Sequence, residues 1–383
     1  MLKTVSIVSR CGTRLGNLGV IAGLACSLFG SWSSQANEAR VIEIAVAAPL
    51  SGELAHLGRD IVRGAELAVE EANRVGIRIS GVPVNFRLRQ FDDYADPRRA
   101  VFVATTVIDS SAVAVIGHLN SGVSIPASAL YHRARLAQVT PASTNPALTQ
   151  AGFDTVFRMQ PSDAMSGRRL GRFAAGRGLA RRVIAVIDDT EYGRVVGQSV
   201  ASGAADGNGK LLGVLTFDSQ GPDLTRIVEA IRGERPDAVI FGGMEDVGDL
   251  LLQHLKSAGL WPVILGGDGM CQEELQAATD LAVFCYVEGD STPVAFASRF
   301  STRFGSTPDV YAAASFDAAN AVISAIRTAD ATGRAQIVEA LKRLDVPGST
   351  GRIRFDNDGE RPDAKTSLFT YAKGKRVLEA VVP

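Results

Sequence analysis

Residues 42–88 read IEIAVAAPLSGELAHLGRDIVRGAELAVEEANRVGIRISGVPVNFRL, and three patterns follow one another along them. Ile42 to Ala48 is an apolar run of strand length. Ile61, Val62, Ala65, Ala68, Val69 and Ala72 then recur at the spacing of one helix face, and Val84, Phe86 and Leu88 alternate as a half-buried strand does. Strand, helix and strand in this order is the unit from which a parallel sheet covered by helices is built.

The alternation continues outward from this stretch. Asp96-Pro97 opens the next helix with an N-cap and a first-turn proline, and Val113 to Ile116 and Ala137 to Val139 are the next strands. The pattern restarts at Val183 to Ile187 and runs on through Leu211 to Phe217, Ala238 to Phe241, Val263 to Leu265 and Val283 to Val287. Helical periodicity returns over Tyr311 to Ala329 and Ala335 to Leu344, and short strands near Ile353 and Leu368 follow. The class is α/β in two lobes, since 383 residues exceed one core of ordinary size. No Pro/Gly/Ser-rich linker separates the lobes, which points to several crossings between them.

Residues 1–36 differ from the rest. Lys3, Arg10 and Arg14 precede an apolar run from Leu15 to Gly30, and Ser34-Gln35-Ala36 supplies small residues of the kind a signal peptidase reads. The run is shorter than the ~20 apolar residues of a membrane span. Cleavage near Ala36 is the expectation, with export to the periplasm; the competing reading lipidates Cys26, although Gly23 stands where such signals carry a larger aliphatic residue. Cleavage leaves 37 basic against 41 acidic residues, a net charge of −4, which argues against nucleic acid or an anionic membrane as the main partner. It also leaves Cys271 and Cys285 in a compartment that permits disulfides, and sequence leaves open whether they pair.

The enzyme signatures that an α/β fold invites fail on spacing. Gly203 to Lys210, GAADGNGK, has one residue too many between its glycines for a phosphate loop, and Leu211 stands where Ser or Thr is needed. Gly266 to Cys271, GGDGMC, is not GxGxxG, and Ser121 has Leu119 where a hydrolase elbow needs glycine. His56, His118, His132 and His254 lack metal-ligand spacing. No enzyme activity, cofactor or metal is expected. The arginines at 168, 169, 172, 177, 181 and 182 read as a solvated helix face or a docking surface.

Four segments remain: APLSGELAHLG from Ala48, FDDYADPRRA from Phe91, VIGHLNSG from Val115 and TPASTNP from Thr140. Together they resemble the periplasmic leucine/isoleucine/valine-binding proteins of branched-chain amino-acid ABC transporters, over about Ile42 to Tyr371. The resemblance implies a type I periplasmic-binding fold, two Rossmann-like lobes joined by three crossings. Lobe 1 is then 40–161 plus 292–363, and lobe 2 is 162–291 plus 364–383. It implies a monomeric receptor that closes on an aliphatic amino acid and docks on an inner-membrane ABC permease. Another small carboxylate, amide or aromatic acid, or a sensory ligand-binding role with a separate signalling partner, is the alternative.

The resemblance also names site residues. Ser121, Ala142 and Thr144 would hold the ligand's carboxylate and part of its ammonium. Independently, Ser121 and Thr144 each follow the carboxyl end of a strand, where open α/β sheets bind ligands, and both also suit helix caps. Tyr192 in DDTEYG corresponds to a closing tyrosine, and Asp268 in LGGDG to an ammonium-binding carboxylate where the family often has Glu. Leu57 and Met244 stand where the family often carries aromatic rings, which implies a softer side-chain wall. Ala95 and Asn120 occupy positions where some members bridge cysteines, so that bridge is absent.

Overall fold

In the computed structural model, which describes residues 39–219, 221–288 and 294–382, the strands gather mainly into two large sheets. The export signal read at 1–36, its cleavage after Ala36 and the competing Cys26 site lie outside the described residues. The first sheet holds β1 (Arg40–Ala48), β2 (Arg78–Ile79), β3 (Val82–Asp92), β4 (Ala112–Gly117), β5 (Ala137–Thr140) and β6 (Val156–Arg158), in the order β2-β3-β1-β4-β5-β6. Its pairs are parallel except for the short β2–β3 pair. The second holds β7 (Arg182–Asp188), β8 (Lys210–Phe217), β9 (Ala238–Gly242), β10 (Val263–Gly266) and β11 (Val283–Glu288), parallel in the order β8-β7-β9-β10-β11. A separate hairpin, β12 (Asp345–Gly348) with β13 (Gly351–Arg354), precedes β14 (Thr366–Ala372) and β15 (Lys375–Val382), which extend the second sheet antiparallel beyond β11.

Both sheets are covered on two faces, which is why their strands read as apolar runs. Along β1, Ile44, Val46 and Ala48 enter one core while Ala45 and Ala47 enter another. Along β7, Ile184 and Val186 point one way, and Val183, Ala185 and Ile187 the other. Burial of each larger aliphatic side chain contributes roughly 1.5–3 kcal/mol. The helix Ala55–Val75 buries Leu57, Ile61, Ala65 and Ala68 and packs on the helix Ala312–Ala329. A Cβ at Gly64 would stand 2.2 Å from the Ala312 carbonyl oxygen, so only glycine lets these backbones approach.

Because the helices Ala312–Ala329 and Arg334–Leu341 pack against β4 and β5, the chain returns to the first sheet after β11 and leaves it again for β14. With the passage from β6 to β7, it crosses three times. At Asp96-Pro97 the opening turn is a 3₁₀ segment, Pro97–Arg99, capped by the Asp96 carboxylate and running into the helix Ala100–Ile108.

Cys271 and Cys285 form a disulfide, and both are fully buried. It fastens the segment after β10, which carries Asp268, to β11. With 14 residues of separation the link removes denatured-state freedom equivalent to about 3 kcal/mol.

The arginine cluster is spread over surface pairs: Arg168 and Arg172 both meet Asp206, and Arg177 meets Glu379. Such exposed pairs contribute little to stability.

Candidate functional site

In each sheet the direction of winding reverses beside the first strand, between β1 and β4 and between β7 and β9. Connections diverge at such points and leave a crevice at the strands' carboxyl ends. The two crevices face one cavity of about 690 Å³. It is lined by Tyr94 to Arg99 after β3, Asn120 to Gly122 after β4, Asp188 to Tyr192 at the end of β7, and Met244 after β9.

The loops at the first crevice are fixed by side chains from their own sheet. Asp92 accepts from the Leu50 amide (2.9 Å) and the Ser51 hydroxyl (2.6 Å), tying the loop after β1 to the end of β3. After β4, His118 Nδ1 lies 2.8 Å from Asp93 Oδ2 and Nε2 3.0 Å from the Tyr131 hydroxyl, all three residues being wholly buried. This orients the backbone that leads to Asn120 and Ser121. Buried Arg158 donates to the Asn145 carbonyl (2.7 Å) and pairs with Glu360, holding the loop after β5.

A buried polar cluster joins the halves. Asp268, 1% exposed, accepts from the Tyr192 hydroxyl at Oδ1 (2.8 Å) and from the Tyr311 hydroxyl at Oδ2 (3.2 Å). The Gly269 amide donates to the Tyr192 hydroxyl oxygen (2.9 Å). Asp163, at the start of the helix Asp163–Gly176, accepts from the Thr144 hydroxyl (2.6 Å) and the Tyr286 hydroxyl (2.6 Å). Further links cross the cleft: the Asn145 amide donates to the Glu191 carbonyl (3.1 Å), and His56 Nε2 lies 2.8 Å from Glu245 Oε1.

This cluster is poor in positive charge. Burial, and then the nearby Asp163 carboxylate, push Asp268 up to about 7. Burial likewise raises Asp163 above the usual carboxylate range. Tyr192 and Tyr286 are held well above their ordinary value by burial and then by the neighbouring carboxylates. Among the described residues no basic side chain pairs with Asp268, whose hydrogen-bond partners are neutral phenols and an amide. Asp268 is itself outside the cavity lining and lies one hydrogen bond behind Tyr192, which lines it. Among the described residues, no cluster of His, Cys, Asp and Glu has the geometry to hold a metal ion.

Of the residues singled out from the sequence, Ser121, Tyr192 and Met244 line the cavity together, and Tyr192 is bonded to Asp268. Ser121 Oγ accepts from the Asn145 amide (3.3 Å). Thr144 sits one step back, its hydroxyl donated to Asp163. Ala142 is 4% exposed, outside the cavity lining, and its amide donates to Thr140 Oγ1 (3.3 Å). Leu57 is wholly buried in the core and also outside the lining; Leu54, one turn earlier, borders a smaller adjoining pocket. Sequence reading passes over Tyr311, Asp163 and Tyr286, which look like a helix start, a helix opening and a strand-core position.

Comparison with known proteins agrees with this architecture. The family model described as periplasmic binding protein matches residues 41–376. The chain is similar to the leucine-, isoleucine-, valine-, threonine-, and alanine-binding protein of Pseudomonas aeruginosa, 26% identical over 92% of this chain and 95% of that protein. It is also similar to a solved ABC transporter substrate-binding protein of Desulfitobacterium hafniense in complex with Leu, with 28% identity, a TM-score of 0.74, and coverage of 89% of this chain and 100% of the other. A solute-binding protein from R. palustris in complex with benzoate shares the fold, with a TM-score of 0.80 at 19% identity over 90% of this chain and 97% of the other. The chain belongs to the periplasmic binding protein family.

Proposed function

We propose that the protein is the receptor of an ABC importer, exported to the periplasm, that captures an amino acid with a short or medium, mainly apolar side chain between its lobes. The observation that carries this reading is the buried Asp268 carboxyl, bonded from both halves by Tyr192 and Tyr311 and lacking a basic partner. A ligand ammonium supplies the missing positive charge, and lobe closure around it removes water from the pair. Ser121 at the first turn of the helix Ser121–Arg133 offers the ligand carboxylate a hydroxyl and a helix N-terminus. Thr144 steadies Asp163 beside them. The relatives that bind leucine and other small amino acids support the ligand class, and the ABC assignment of the Desulfitobacterium protein supports a membrane permease as partner. Benzoate, bound by a more distant relative, has no ammonium, and a carboxylate alone would be repelled by Asp268.

In this reading Met244 forms part of the side-chain wall. Met244→Ala is expected to change the order of affinity among alanine, valine, leucine and phenylalanine, favouring the larger, while binding persists. Calorimetry on the four amino acids, after mass spectrometry of ligand released from the purified protein, measures it. An unchanged order would remove Met244 from the wall, and a released ligand without an amino group would count against the amino-acid reading.

A further inference from the structure

Among the bonds that cross the cleft, the one between His56 and Glu245 joins two side chains that can carry charge. His56 stands in the first turn of the helix Ala55–Val75, on the side of the first sheet, and Glu245 opens the helix Glu245–Ser257, on the side of the second. Neither belongs to the lining of the cavity, although Glu245 directly follows Met244, which does. The two side chains are 41% and 23% exposed, so they meet at the rim of the cleft. Their contact exists only while the halves are together.

The surroundings of the ring decide how many protons it needs. Nε2 lies 2.8 Å from Glu245 Oε1, and Nδ1 lies 3.0 Å from the Glu53 carbonyl oxygen. Both neighbours are acceptors. A neutral imidazole has one N–H and one bare nitrogen, so it can donate to only one of them, whereas the imidazolium donates to both. The Glu245 hydrogen bond raises His56 above its ordinary value of 6.5, against the opposing effect of burial. Asp309, just ahead of Tyr311, also favours the protonated ring, and Arg376 from β15 and Asp60 from the helix of His56 face Asp309 in turn.

We infer that His56 is a positioning residue for capture: protonated, it bridges the Glu53 carbonyl and the Glu245 carboxylate and holds the lobes shut over the ligand without touching it. This rests on the receptor reading above and adds how the closed form is held. Because closing supplies the second acceptor, closure and proton uptake at His56 are linked, and each favours the other. A histidine raised in the closed form adds to closure in full below its ordinary value of 6.5, and that contribution is lost as pH rises through the raised value. The pair is partly exposed, so it is worth a factor of about three to five in affinity rather than the decades expected of a buried pair.

The test is calorimetry of valine at pH 6 and pH 8.5 on the wild-type mature protein, His56→Gln, Glu245→Gln and the double variant, with melting curves to check folding. Glutamine keeps a neutral hydrogen-bonding group at each place and removes the charge. Asp268 titrates over the same range in all four proteins, so its effect cancels in the ratio of wild type to variant. At pH 6 the wild type is expected to bind valine about three- to fivefold more tightly than either single variant, and at pH 8.5 within about twofold of both. The double variant should lose no more than the single ones. A ratio that is the same at both pH values, or larger at pH 8.5, would overturn the inference while leaving the receptor reading intact, as would additive losses in the double variant. Should no variant fold, an NMR titration of the wild type decides: the His56 ring should titrate at a higher pH with valine bound than without, and an unmoved midpoint would overturn the inference. Failure of the wild type to bind valine at either pH would overturn the receptor reading and this inference with it.

Discussion

Asp268→Asn is expected to weaken valine binding by two to four decades while leaving the fold intact. Asp268 is a buried carboxyl bonded from both halves, by the hydroxyls of Tyr192 and Tyr311. In the closed cleft a ligand ammonium loses its water and depends on this charge. Removing one partner of such a buried pair costs roughly 3–5 kcal/mol, which is the two to four decades stated. Asparagine keeps the volume and can still engage both phenols, and it removes the repulsion from Asp163 that raises the native carboxyl. The melting point of the empty variant should therefore match or exceed that of the wild type. Calorimetry and a thermal melt on the same preparations measure both effects. Undiminished affinity in a folded variant would show that the ammonium is held elsewhere.

The second large effect is one of pH. In the empty receptor Asp268 is raised to about 7 by burial and by Asp163, so at pH 5 it is almost entirely protonated. The ammonium requires the carboxylate, and binding below pH 7 must displace a proton. Valine affinity should fall about tenfold per pH unit in that range, or about a hundredfold from pH 8 to pH 5. Near pH 6 close to one proton should be released, visible as a dependence of the binding heat on the buffer's ionisation enthalpy. Stability of the empty protein moves the other way. A carboxyl whose folded value is raised contributes stability that is fully present below its ordinary value of 3.8 and is lost as pH rises through about 7. Asp60, raised to about 7 by burial and then by Asp309, adds to stability with the same sign. A flat affinity profile between pH 5 and 8 would contradict the assignment of Asp268.

The fold is legible where strands are buried on both faces. β1 and β7 sit inside sheets, so their side chains are apolar in both directions and the runs stand out. β6 and β15 escape such reading for opposite reasons: β6 has only three residues, and β15 is an edge strand whose residues are half or fully exposed. The cysteine pairing is decided by the return of the chain from β10 to β11, which no spacing rule contains.

The candidate site is less legible because its contacts are long-range. Tyr192 and Asp268 are 76 residues apart and meet only because β7 and β10 both flank β9. Tyr311 reaches Asp268 from the other half, after the chain has crossed back to the first sheet. Leu57 shows the reverse difficulty. Its place in APLSGELAHLG suggests a cleft residue, whereas the helix phase that puts Ile61 and Ala65 into the core carries Leu57 with them.

The most direct test of the central claim is a titration of the wild-type mature protein at pH 8 with valine and with 3-methylbutanoate, the same molecule without its amino group. A receptor built around an ammonium anchored by Asp268 should bind valine in the micromolar range or tighter, about 8 kcal/mol, and the des-amino acid at least a hundredfold more weakly. Equal or tighter binding of 3-methylbutanoate would contradict the account.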